Sequence, residues 1–108
     1  MDEGNQIFIP PSFAALYVLP GKLKPTVSAG ELAARYELCE DMAQLLTEQA
    51  ANQQFQLGIT EDLALERCLQ GLLATPEVVS EAEARWVVCR LAELLNWPLP
   101  PWAPSPDA

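Results

Sequence analysis

Ten prolines punctuate this chain, and their positions limit where helices can form. Pro10, Pro11, Pro20 and Pro25 interrupt the N-terminal part. Pro76 stands alone, and Pro98, Pro100, Pro101, Pro104 and Pro106 crowd the end. A proline lacks an amide donor and its ring clashes with the preceding turn, so helix interiors avoid it. Two windows stay open, from Pro25 to Pro76 and from Pro76 to Pro98, and both carry helical periodicity.

The first window opens on a capping box, Ser28 with Glu31, with Val27 and Leu32 placed to form a hydrophobic staple around it. The spacing predicts a helix from Ser28 to about Ala51. Leu32, Tyr36, Cys39, Ala43, Leu46 and Ala50 repeat with 4,3 spacing along one seam, and Leu38, Met42 and Leu45 widen the apolar stripe. A second helix starts at Thr60, with Glu61 and Asp62 suited to the positive end of its dipole. It buries Leu65, Cys68, Leu69 and Leu72 and ends before Pro76. A third starts at Ser80, where Ser80 and Glu83 form another capping box. Its stripe is Ala84, Val87, Val88, Leu91, Leu94 and Leu95, and it stops before Pro98, which biases Trp97 out of helix. A short helix is expected near residues 12–18, where Phe13, Leu16 and Tyr17 share a face. The expected fold is therefore all-α: a bundle of three main helices with a short N-terminal helix, an extended N-terminal arm and a Pro-rich C-terminal tail. Residues 1–97 would form one helical domain with its arm, and 98–108 the tail.

Composition narrows the function. The chain has 108 residues, 50% of them hydrophobic and 19% charged, a globular balance large enough for one modest core. Net charge is -9, with only six Lys and Arg against fifteen Asp and Glu. Nucleic-acid binding depends on clustered cations that displace counterions, and the expected third helix sets Arg85 and Arg90 against Glu81, Glu83 and Glu93. Neither a nucleic acid nor a membrane is expected as a partner. The acidic start, Met1-Asp2-Glu3-Gly4, is unlike a secretory signal, and no apolar run approaches the length of a membrane span. Three cysteines in no disulfide or zinc spacing fit a reducing cytoplasm.

Chemistry is sparse. There is no histidine, which removes the commonest general base and zinc ligand. Cys39, Cys68 and Cys89 lie one on each expected helix. They could meet as a metal or redox cluster, but cysteine on an apolar stripe is more often a small core hydrophobe. Pro20-Gly21-Lys22-Leu23 holds a Gly-Lys pair without the upstream glycine of a phosphate loop, and Leu23 stands where Ser or Thr would hold magnesium, so it reads as a turn. No catalytic, cofactor-binding or metal residue is assigned, and enzyme activity is not expected.

Two surfaces remain. Glu37, Asp41, Gln44 and Glu48 form a ridge on the first long helix, with Glu40 beside it. An ordinary solvated face is the plain reading. Yet Glu37 and Asp41 are like charges four residues apart, a mildly unfavourable pair that a basic partner would relieve. On the third helix, Trp86, Ala82 and Cys89 fall almost opposite the Ala84–Leu95 stripe. Either the Ile7-Phe8-Ile9 arm or the Trp97/Trp102 tail covers that face, or it is an interface. The tail itself, Trp97-Pro98-Leu99-Pro100-Pro101-Trp102, either packs along its own bundle or is read by an aromatic groove of another protein.

Several stretches resemble a small family of short proteobacterial proteins often labelled "ATPase with chaperone activity". The similar segments are Ile9-Pro10-Pro11-Ser12-Phe13-Ala14-Ala15-Leu16-Tyr17, Ala34-Arg35-Tyr36-Glu37-Leu38-Cys39-Glu40-Asp41, Leu57-Gly58-Ile59-Thr60-Glu61-Asp62, and Trp86-Val87-Val88-Cys89-Arg90-Leu91-Ala92-Glu93-Leu94-Leu95. The resemblance implies a bacterial cytosolic protein, and through the label a nucleotide-binding or ATPase-linked chaperone function. It carries no active-site residues onto this chain.

The reading that emerges is a protein–protein interaction module: an adaptor, regulatory subunit or chaperone-like helper. Its partner-binding residues would be Trp86, Ala82, Cys89, Glu37, Asp41 and Glu48, and its partner another protein or a second copy of itself. The nucleotide-binding function implied by the resemblance is the alternative, and a helical DNA-binding regulator a weaker one.

Overall fold

The computed structural model describes residues 8–104. Among them the protein is all-α: a short helix α1 (Pro11–Ala14) running into a 3-10 turn (Ala15–Tyr17), then α2 (Ala29–Leu57), α3 (Glu61–Leu73) and α4 (Glu81–Leu95), with no sheet. Two compact units divide after Leu38, so α2 contributes to both.

In the first unit, Pro11 opens α1, where its missing amide costs nothing and its fixed φ is already helical. Phe13 is fully buried, with its ring 5.5 Å from that of Tyr17 and 5.6 Å, edge-on, from that of Tyr36. Contacts of this kind contribute about 0.5–1.5 kcal/mol each beyond area burial. An isolated antiparallel bridge, Val18 to Pro25, closes a loop. Within it the Lys22 amide donates to the Leu19 carbonyl at 3.0 Å, with Gly21 at φ +79. Pro followed by a left-handed Gly makes a type II turn, so the Gly-Lys pair sits in a turn. Ser28 caps α2: the Glu31 amide donates to its Oγ at 3.1 Å, and its own amide donates to Glu31 Oε1 at 3.3 Å. Of the expected arm, residues 1–7, including Ile7, lie outside the described part. Phe8 is 78% exposed.

The second unit holds the rest of α2, together with α3, α4 and the tail. The expected seams are the buried faces. Cys39, Ala43 and Ala50 of α2 are buried, as are Leu65, Cys68, Leu69 and Leu72 of α3, and Ala84, Val87, Val88 and Leu91 of α4. Burying a Leu or Val side chain contributes about 1.5–3 kcal/mol, so these residues supply most of the unit's stability. α3 packs against α4. Arg90 ties α4 to α2 through a bidentate pair, donating from Nε to Glu40 Oε1 at 2.9 Å and from Nη2 to Glu40 Oε2 at 3.1 Å. Both predicted caps form: the Leu63 amide donates to Thr60 Oγ1 at 3.2 Å, and Ser80 and Glu83 complete their box. α4 ends at Asn96, which takes the left-handed conformation (φ 60) while the Trp97 amide donates back to the Ala92 carbonyl at 2.9 Å. That is a Schellman-type close, and Asn is one of the few non-glycine residues that accept it.

Two expectations shift. α2 does not end near Ala51 but runs to Leu57. Residues 52–57, Asn-Gln-Gln-Phe-Gln-Leu, contain no breaker, and the first is Gly58, at φ +63. Leu45, counted with the apolar stripe, is 78% exposed. It lies off the 4,3 seam, whereas Leu38 and Met42, the other two residues of the widened stripe, are half-buried. The tail leaves α4 at Pro98 and turns at Pro101–Ala103, where the Ala103 amide donates to the Pro100 carbonyl at 3.0 Å. Residues 105–108 lie outside the described part.

Candidate functional site

The outer face of the second half of α2 is the most exposed apolar surface on a long helix among the described residues. Asp41, Leu45, Glu48, Asn52 and Phe55 follow one another at 4,3,4,3 spacing, so they stack along a single line of the helix. All five are exposed, and Phe55 is 86% so. Leu45, Glu48, Gln49, Asn52, Gln53 and Gln56 line a shallow groove there. The line presents two large apolar side chains ten residues apart, with carboxylates at Asp41 and Glu48. At 1.5 Å rise per residue, Leu45 and Phe55 stand about 15 Å apart along the axis. Gln53 Oε1, a buried acceptor in the groove wall, has no donor among the described residues.

The acidic ridge is thinner than its sequence. Glu37 is exposed in the first unit, and Asp41, Gln44 and Glu48 are exposed in the second. Glu40 is withdrawn from it. Besides Arg90, Glu40 Oε2 accepts from Gln44 Nε2 at 2.9 Å. The Arg90 hydrogen bonds hold its carboxyl below the ordinary value, partly opposed by burial. Arg90 also donates to Glu93 Oε1 at 3.2 Å.

On α4, Ala82 is exposed while Trp86 and Cys89 are half-buried. Burial pushes the Cys89 thiol up to about 11, with Glu93 adding to the rise and Arg85 opposing it. Cys68 is raised for the same first reason. A thiol this basic is a poor nucleophile at neutral pH. Cys39 and Cys68 are buried on the apolar seams, and no group of three or more metal-ligating side chains gathers among the described residues. Lys22 and Lys24 are exposed in the bridged loop, flanking Leu23, which is 96% exposed.

Sequence reasoning missed Leu45 and Phe55. Phe55 lay beyond the expected helix end, and Leu45 was counted as core. The signal that could have found them is Gly58, the first Gly or Pro after Gly30 in the opening turn of the helix. Extending the helix to it places Phe55 seven residues beyond Glu48, on the ridge itself. No protein-family model matches this chain, and neither a curated protein nor a solved structure matches it.

Proposed function

We propose that the protein is an interaction module, an adaptor, regulatory subunit or chaperone-like helper, and that the outer face of α2 is its contact surface. The observation that carries this is the line Asp41-Leu45-Glu48-Asn52-Phe55. Two large apolar side chains are held open to water on a rigid helix, in line with two carboxylates, Asp41 and Glu48, that have no partner among the described residues. Leaving a Leu and a Phe exposed forgoes about 1.5–3 kcal/mol apiece, and a partner that covers them recovers it. The matching partner surface has an apolar pocket pair rimmed by Lys or Arg, since the acidic flank and the net charge of -9 attract cations.

A protein partner fits better than a nucleic acid. Both arginines of α4 are already engaged, Arg85 with Glu81 and Arg90 with Glu40 and Glu93. No helix among the described residues is long and apolar enough to cross a membrane. Three cysteines, none of them in a disulfide among the described residues, suit a reducing cytoplasm. The Trp86, Ala82 and Cys89 face is a lesser contact in this reading, because its large side chain is half-buried.

The test is to tag the chain, express it at native level, and compare what co-purifies with wild type and with Phe55→Ser. The expected result is one stoichiometric partner with wild type and at least a tenfold loss with Phe55→Ser, at unchanged helicity. Equal recovery by both would move the contact away from α2. A dimer of the chain alone, dispersed by Phe55→Ser, would make the partner a second copy.

A further inference from the structure

We propose that the groove between α3 and the Pro-rich tail binds an arginine side chain from a polypeptide partner. The inference goes beyond the α2 contact and uses none of its residues. One wall of the groove is Asp62, Leu63 and Glu66 of α3, and the other is Pro101 and Trp102.

The chemistry of the two walls is complementary to a guanidinium on an aliphatic stem. Asp62 and Glu66 stand four residues apart on α3, like charges that repel mildly until a cation sits between them. Asp62 has no partner among the described residues, and Glu66 is engaged only by Gln70 Nε2, which donates to its Oε2 at 2.7 Å. Both therefore keep oxygens free to accept. The opposite wall is flat, a proline ring and an indole, and a planar guanidinium stacks on such surfaces over a larger area than a compact ammonium can. The Arg85 guanidinium carbon already lies 5.0 Å from the centre of the Trp102 ring, and Arg85 is not among the residues that line the groove. On the α3 wall, Leu63 is 45% exposed, an apolar rest for the methylene stem. An anion would meet two carboxylates, and a neutral side chain would leave their repulsion in place.

The experiment is a titration of the isotopically labelled full chain with Nα-acetyl-arginine methylamide, followed by NMR. The norleucine and lysine analogues and spermidine serve as comparators. The expected result is saturable shifts at the Trp102 indole N–H and the amides of residues 62–66, with a dissociation constant on the order of millimolar, as suits a ligand this small. Norleucine should bind at least tenfold more weakly and lysine several-fold more weakly. Asp62→Asn with Glu66→Gln should weaken arginine binding at least tenfold. Trp102→Leu, which leaves α3 intact, should do the same and carries the test if the double variant misfolds. Phe55→Ser should bind the probe like wild type, so failure of the α2 reading and failure of this one are separable. No saturable shift, equal binding of norleucine, or tighter binding of spermidine than of arginine would each overturn the proposal.

Discussion

Glu40 shows how much one contact changes the meaning of a residue. In sequence it is one more carboxylate beside an acidic ridge, and in the structure it is the acceptor that locks α4 to α2. Because its folded pKa lies below the ordinary value of 4.5, the pair stabilises the fold fully above that value. The stabilisation is lost as pH falls through the lowered pKa. Glu40→Gln should therefore cost about 1–2 kcal/mol at pH 7, as expected for partly exposed hydrogen bonds to a charged group. The difference from wild type should shrink toward zero at strongly acid pH. Urea unfolding at pH 7 and in strong acid checks both. The same substitution at Glu48, which has no partner among the described residues, should move stability by no more than about 0.5 kcal/mol.

Among the elements, the helices obey local rules at their ends, and two glycines separate the roles a glycine can have. Gly58 ends α2 at φ +63 with open space around it. Its substitution is resisted by backbone conformation alone, so Gly58→Ala should destabilise by about 1 kcal/mol. Gly71 lies inside α3 at an ordinary φ, also with nothing near the position of an added Cβ. Gly71→Ala should stabilise by about 0.5–1 kcal/mol through helix propensity. Opposite shifts in thermal midpoint for the two variants, read by circular dichroism, are the expected outcome.

The whole molecule divides its large apolar side chains between covered and open surfaces in a way that local pattern does not announce. Trp86, set opposite the main stripe of α4, is half-buried, while Leu45 and Phe55 are open. Trp86→Ser should lower stability by about 1–3 kcal/mol, since it removes partly buried aromatic area. Phe55→Ser should leave stability within about 0.5 kcal/mol of wild type. Denaturant unfolding of the pair tests this partition directly. A Trp86→Ser protein as stable as wild type would return that face to the list of open surfaces.

The sequence by itself determined the helix count, the N-terminal caps of the three long helices, and the buried seams. The reason is that caps and 3.6-residue periodicity are local: Ser28 with Glu31, Thr60, and Ser80 with Glu83 need only their own next turn to act. It also set the acidic balance that argues against nucleic acid. The tertiary structure alone decided how far the cover extends beyond the seam of a broadly apolar helix. Leu45 and Leu46 are neighbours in sequence, and only the packing of the unit leaves the first open and half-buries the second. The Glu40–Arg90 pair spans fifty residues, and the groove at Trp102 joins residues separated by most of α3 and all of α4. Contacts at such separations leave no periodic trace, because they are chosen by how the helices meet and not by how each one forms.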